Sequence, residues 1–226
     1  MHLILLTLLL VLVIFAPQWW VGYVLARYNR EEEFPGSGSE FARHLLTRFD
    51  LQDVKVEEAG GEGDHYDTQQ RVVRLAPDKY HRKSLTAITT AAHEVGHAIQ
   101  HSMNYGPFLW RLRLAKMARV TEKLGSFLLF AVPVLALITR TPAAGAITFL
   151  AAMATIGVSV VVQLLTLPVE WDASFTRAMP ILETGYIDAR QQKAAKRILR
   201  ACAFTYVASS LAGLLNFWRW ARVLKP

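Results

Sequence analysis

The chain has 226 residues, 53% of them hydrophobic, with a formal net charge of +7 and a mean hydropathy of +0.24. That balance points to a membrane protein and away from a nucleic-acid binder, so the positive charge is read against lipid. The single cysteine, Cys202, lies in an apolar run, which excludes a disulfide framework and a cysteine-based zinc site. Four long uncharged runs consume much of the length and leave one small catalytic domain.

Leu3 to Ala26 carries no Asp, Glu, Lys or Arg. At about 1.5 Å per residue this run is long enough for a bilayer core of about 30 Å, which predicts an N-terminal transmembrane helix over residues 1–27. The basic start and small-residue site of a cleaved signal peptide are missing, and Trp19-Trp20 reads as an interfacial belt ahead of Arg27 and Arg30. A small α+β domain is expected over residues 28–106. Pro35-Gly36-Ser37-Gly38 is a linker, and Ser39 is expected to cap a helix with Phe41, Leu45, Leu46 and Phe49 on one face. Val54-Lys55-Val56-Glu57 alternates as a strand, Gly60-Gly61-Glu62-Gly63 turns, and Arg71 to Leu75 reads as a second strand completing a hairpin. The Arg71-to-Leu75 edge is then expected to hold an extended peptide by main-chain hydrogen bonds.

His93-Glu94-Val95-Gly96-His97 follows, after Ser84 as N-cap. Two histidines four apart share a helix face and can offer two imidazoles to one metal ion, with Glu94 beside them. With this chain's own composition, a chance match has odds on the order of one in a hundred. Ile88, Ala91, Ala92, Val95 and Ile99 form the packing stripe, which leaves the histidines off it, while Gly96 and Ala92 leave room for another segment to approach. His101 continues the row but lies about 12 Å along the axis from His93, so one straight helix cannot supply three ligands.

Gly106-Pro107 is expected to break this helix. Residues 107–123 then mix Trp110, Leu112, Leu114, Met117 and Val120 with Arg111, Arg113, Lys116, Arg119 and Lys123, which suits a helix at an anionic membrane surface. Leu124 to Thr139 is a short uncharged run, Arg140-Thr141-Pro142 a tight turn, and Thr141 to Val169 an uncharged stretch of about 43 Å as helix. Residues 124–176 are thus expected to form a transmembrane hairpin. Glu170 stands at its end, followed by Asp172; with the histidine pair present, Glu170 is the best further oxygen ligand, and Asp172 is either an alternative ligand or a partner to a ligating histidine. Residues 177–226 carry a basic helix that Asp188 can cap and a last uncharged run from Ala201 to Trp218. The expected fold is a mainly α membrane protein with about four transmembrane helices and a small α+β catalytic domain. Basic flanks set against the lone Arg140 loop put the catalytic face in the cytoplasm, whereas Arg219, Arg222 and Lys225 sit on the wrong side for a full fourth crossing.

Asp64-His65-Tyr66-Asp67, AAHEVGHAIQH and LPVEWDAS together resemble the YugP-type bacterial membrane zinc metallopeptidases, over almost the whole chain. The resemblance implies a gluzincin-like neutral peptidase of the bacterial cell membrane, with His93 and His97 as ligands, Glu94 as general base and Glu170 as third ligand. Members more often have Phe at the position of Trp171 and an Arg pair near Arg177. Gluzincins tend to carry a supporting Asp four residues after the ligand Glu, a place held here by Ser174.

The expected function is therefore metal-assisted hydrolysis of membrane or membrane-near polypeptides, with one Zn2+ per chain and partners limited to a polypeptide substrate and the lipid bilayer. His65, Tyr66 and Arg177 are polar groups available for substrate or oxyanion contacts. Two rivals remain: a non-catalytic membrane protein with a structural zinc, and a membrane-surface binding module built on the basic helices.

Overall fold

Polar caps and tight turns punctuate this chain, and the computed structural model describes residues 2–214. A helix α1 (His2–Arg27) leads to α2 (Gly38–Arg48), strands β1 (Lys55–Glu58), β2 (His65–Asp67) and β3 (Val72–Leu75), and a short α3 (Pro77–Tyr80). Then come α4 (Leu85–Ser102), α5 (Gly106–Thr139), α6 (Pro142–Trp171), a π-helical segment Asp172–Ala178, α7 (Met179–Glu183) and α8 (Ala189–Leu214). Two compact units result. One contains Trp110–Thr166; the other is assembled from Ala16–Leu109 and Leu167–Thr205, and holds the sheet, α4 and the π-helical segment.

Ser37, rather than Ser39, caps α2: its hydroxyl accepts from the Glu40 amide while the Glu40 carboxylate accepts from the Ser37 amide at 2.8 Å. Ser39 is buried and shares a hydrogen bond with the Ser37 hydroxyl. The caps expected at Ser84 and Asp188 are present, Ser84 taking the Ala87 amide at 3.0 Å and Asp188 the Gln191 amide at 2.7 Å.

The sheet departs from the expected hairpin. β1 runs parallel to β3, Lys55 opposite Val72, and β2 pairs antiparallel with β3, His65 opposite Arg74, giving the order β1-β3-β2. The hairpin is therefore β2–β3. Asp67 closes it by accepting from the Gln69 and Gln70 amides at 2.8 and 3.0 Å, which with Arg74 holds its carboxyl below the usual range, the Gln70 amide contributing most. β3 is flanked on both sides and has no edge to offer, so the expectation that Arg71 to Leu75 binds peptide is overturned. A three-residue strand is too short to display alternation, which is why β2 does not register as a strand in the sequence.

Around α4 the packing is complete: every residue from Leu85 to Gln100 is buried, with α2 and the π-helical segment against it. The histidines expected off the packing stripe are 1% and 2% exposed, because a second layer covers that side too. Nearby, burial alone would pull Lys79 down, but the carboxylates of Asp64 and Asp78, each 3.1 Å from its ammonium, more than offset this and raise it.

The four-span expectation is overturned as well: among the described residues, no helix is long and apolar enough to cross a membrane. Two of the four charge-free runs, those beginning at Leu124 and Ala201, are not helices by themselves. Pro107 lies in the first turn of α5, and α5 joins the basic turns of Arg111, Arg113, Lys116, Arg119 and Lys123 to the apolar run. In the same way α8 joins Arg190, Lys193, Lys196, Arg197 and Arg200 to the run after it. The crossing count that placed the catalytic face in the cytoplasm loses its basis. Arg219, Arg222 and Lys225, and the end of the last run at Trp218, lie outside the described residues.

Ser37→Ala removes one partner of the reciprocal cap and should cost about 1 kcal/mol of stability. A urea titration checks it, and an unchanged midpoint would mean the cap contributes nothing.

Candidate metal centre

Three buried side chains converge where α4 meets the end of α6. The Glu170 Oε2 lies 3.3 Å from His93 Nε2 and 3.1 Å from His97 Nε2, and one ligand atom from each residue lies within 4.8 Å of the others. The imidazoles stand nearly edge to face, 4.7 Å between centroids, and Phe108 stacks on His97 at 5.9 Å. Helical i, i+4 spacing supplies the histidines from α4. The carboxylate comes from the last turn of α6, just before the backbone widens into the π-helical segment.

Hydrogen bonds behind the rings fix their tautomers. The Ser174 hydroxyl donates to the Leu199 carbonyl at 3.1 Å, so toward His93 Nδ1, 3.0 Å away, it accepts. The Gln100 amide nitrogen donates to Val169 O at 2.9 Å and to Asp172 Oδ2 at 2.7 Å; its oxygen therefore faces His97 Nδ1 at 2.9 Å and accepts. In the neutral form both imidazoles thus carry their proton on Nδ1 and aim the Nε2 lone pair at Glu170. Two lone pairs and a carboxylate oxygen facing one another repel unless a cation lies among them. Tetrahedral zinc with N and O ligands at about 2.0–2.2 Å keeps its ligand atoms about 3.3 Å apart, so the donor set fits that ion in kind, and its two imidazole–carboxylate distances fit it in spacing.

The remaining sequence candidates divide into two groups. Glu94 follows His93 on α4 and is 4% exposed; its charge, after burial, helps push the Cys202 thiol up from its usual value. Asp172 is not in the converging group: it accepts from Gln100 and from Arg177 Nε, the latter at 2.8 Å. Arg177 is held there, with Met103 Sδ at 3.3 Å and the Tyr105 ring beneath its guanidinium at 5.3 Å. Tyr66, on β2, shares a hydrogen bond with His101 Nδ1 at 2.9 Å. Burial raises the Tyr66 phenol and lowers His101. His65 binds the Gly63 carbonyl through Nδ1 at 2.9 Å. Neither His65 nor Tyr66 belongs to the converging group.

Gln100 is the participant that sequence reasoning missed. Its only signal was a position three after His97, the spacing that returns a side chain to the same helix face.

These features make a candidate metal site of the kind that pairs an H-E-x-x-H helix with a distant carboxylate. The chain belongs to the family described as "Putative neutral zinc metallopeptidase", whose model matches residues 3–225. A relative from Bacillus subtilis (strain 168), named "Putative membrane protease YugP", is 35% identical over 205 residues, covering 87% of this chain and 85% of its own. No solved structure matches. The family implies zinc, and the resemblance read from the sequence is correct.

Removing a histidine's hydrogen-bond partner should loosen the metal without removing a ligand. Gln100→Leu and Ser174→Ala should each weaken zinc binding about 10- to 100-fold in a competitive chelator titration. Affinity equal to the parent in both would show that the rings need no such support.

Proposed function

We propose that this chain is a zinc peptidase that hydrolyses peptide bonds of polypeptides at or near a membrane, using one zinc held by His93, His97 and Glu170. The observation that carries the reading is the convergence of two Nε2 lone pairs and one carboxylate oxygen. Three protein ligands leave a fourth position, as in catalytic rather than structural zinc sites. Zinc, when bound there, supplies Lewis acidity that polarises a scissile carbonyl and makes a water more acidic.

The remaining chemistry falls to the chain. Glu94, adjacent to His93, takes a proton from the attacking water as its oxygen bonds to the carbonyl carbon, then delivers that proton to the nitrogen as the C–N bond breaks. Ser174 and Gln100 keep both imidazoles in the Nδ1–H form throughout. For an extended substrate the available strand is β2, an edge of the sheet that packs on α4. Support for a membrane setting comes from the relative's printed name and from exposed apolar side chains, including Leu137, Ile138, Ile147 and Leu150, 66–80% accessible, which need a nonaqueous cover.

Glu94→Gln preserves shape and removes basicity, so zinc content should stay at that of the parent while peptide turnover falls by about 10²-fold or more. Glu170→Ala should instead lose the metal. A Glu94→Gln protein that cleaves peptides at the parental rate would refute the assignment of the base, and an inert parent that still holds zinc would favour a structural metal.

A further inference from the structure

The end of α1 and the exposed face of α8 enclose a cleft of about 370 Å3, lined by Trp20, Tyr23, Val24, Arg27, Tyr28, Arg197 and Arg200. Among the described residues no carboxylate lines it. An adjoining cleft, sharing Arg27 and Tyr28, adds Arg30 and Glu32, whose Oε2 accepts from Gln191 Nε2 at 2.8 Å. The guanidiniums are placed by phenols: Arg27 donates to Tyr23 Oη at 2.7 Å and Arg197 to Tyr28 Oη at 3.1 Å. Arg27 also lies 5.9 Å from the ring centres of both Tyr23 and Tyr28. Phenols orient a guanidinium without neutralising it, so the cleft keeps fixed positive charge and unused forked donors.

Such donors match the geometry of a phosphate, which takes two parallel N–H bonds from each arginine. One wall decides between a soluble anion and a lipid. Trp20 and Tyr23 are 42% and 60% exposed, next to Trp19 at 63%, and Trp20 stands edge-on to Phe204 with centroids 6.4 Å apart. Amphipathic rings clustered beside cationic donors are the arrangement found at the headgroup level of a bilayer, where an acyl chain continues from the phosphate along apolar surface. We propose that this cleft binds the phosphate of an anionic phospholipid headgroup through Arg27, Arg197 and Arg200, with Trp20 and Val24 against the first part of its glycerol and acyl chain.

The test is a calorimetric titration of the full chain, kept in non-ionic detergent at about 0.15 M salt, where exposed charges more than about 8 Å apart are largely screened. The ligands are short-chain phosphatidylglycerol, short-chain phosphatidylcholine and inorganic phosphate. The variants are the triple Arg27→Gln, Arg197→Gln, Arg200→Gln and a control triple of equal charge, Arg48→Gln, Lys55→Gln, Lys83→Gln, both checked for parental circular dichroism. Phosphatidylglycerol should bind saturably and more tightly than phosphatidylcholine; the cleft triple should lose about tenfold or more, and the control less than about threefold. Inorganic phosphate in excess should not displace the lipid. Equal losses in the two triples would reduce the effect to bulk charge, and displacement by inorganic phosphate would make the site one for a soluble anion; either overturns the proposal. If the cleft triple fails to fold, Arg200→Gln alone, compared with Lys83→Gln, carries the same comparison. The readout is lipid binding, so it stands or falls apart from the peptidase reading.

Discussion

The metal centre depends on how closely two backbones approach. A Cβ placed at Gly96 would come within 2.9 Å of the Ala173 carbonyl oxygen, so the π-helical segment can lie against α4 only because that position has no side chain. Gly96 falls between the two histidines, and Ala173 three residues beyond Glu170. Contact at this one point therefore sets the height of the carboxylate over both rings. Ala92, Ala173 and Ala178, all fully buried, keep the surrounding surfaces flat enough for the approach to be maintained.

Burying two imidazoles, a glutamate and an amide carries a large desolvation cost unless each polar atom meets a partner, and the partners here form an ordered series. Arg177 fixes Asp172, Asp172 fixes the Gln100 amide, and Gln100 fixes both His97 and the carbonyl of Val169, the residue before Glu170. One glutamine thus sets the tautomer of His97 and the position of the segment carrying Glu170. His93 is treated independently, through Ser174 and the Leu199 carbonyl. The position four residues after Glu170 carries a hydroxyl, and a hydroxyl that donates to a carbonyl can still accept the ring proton. A neutral partner leaves the imidazole less electron-rich than a carboxylate would.

How much of this was legible in the sequence follows from the range of each signal. The spacing of His93 and His97, the caps at Ser84 and Asp188 and the small residue at Gly96 are local, and the structure contains all of them as read. Glu170 was reachable only as an element-end carboxylate, because nothing local marks the partner of a residue about seventy positions away. Strand order was illegible for a similar reason. β1 reaches β3 across an inserted three-residue strand, and pairing of that kind leaves no trace in period-two alternation. Two of the spans fail on a different point: absence of charge does not measure element length, since in α5 and α8 the basic turns and the apolar turns are one helix.

α8 shows why a basic amphipathic pattern underdetermines its use. Ile198, Leu199, Ala201 and Cys202 are buried, and the Leu199 carbonyl receives the hydroxyl that supports His93. Arg197 and Arg200, three apart and so on one face, are exposed on the opposite side and line the cleft with the end of α1. A period of 3.6 residues lets a single helix brace a buried histidine on one side and present fixed positive charge on the other. In the sequence both faces read as one motif. What separates them is which neighbour each meets: Ser174 of the π-helical segment on one side, and the aromatic end of α1 on the other.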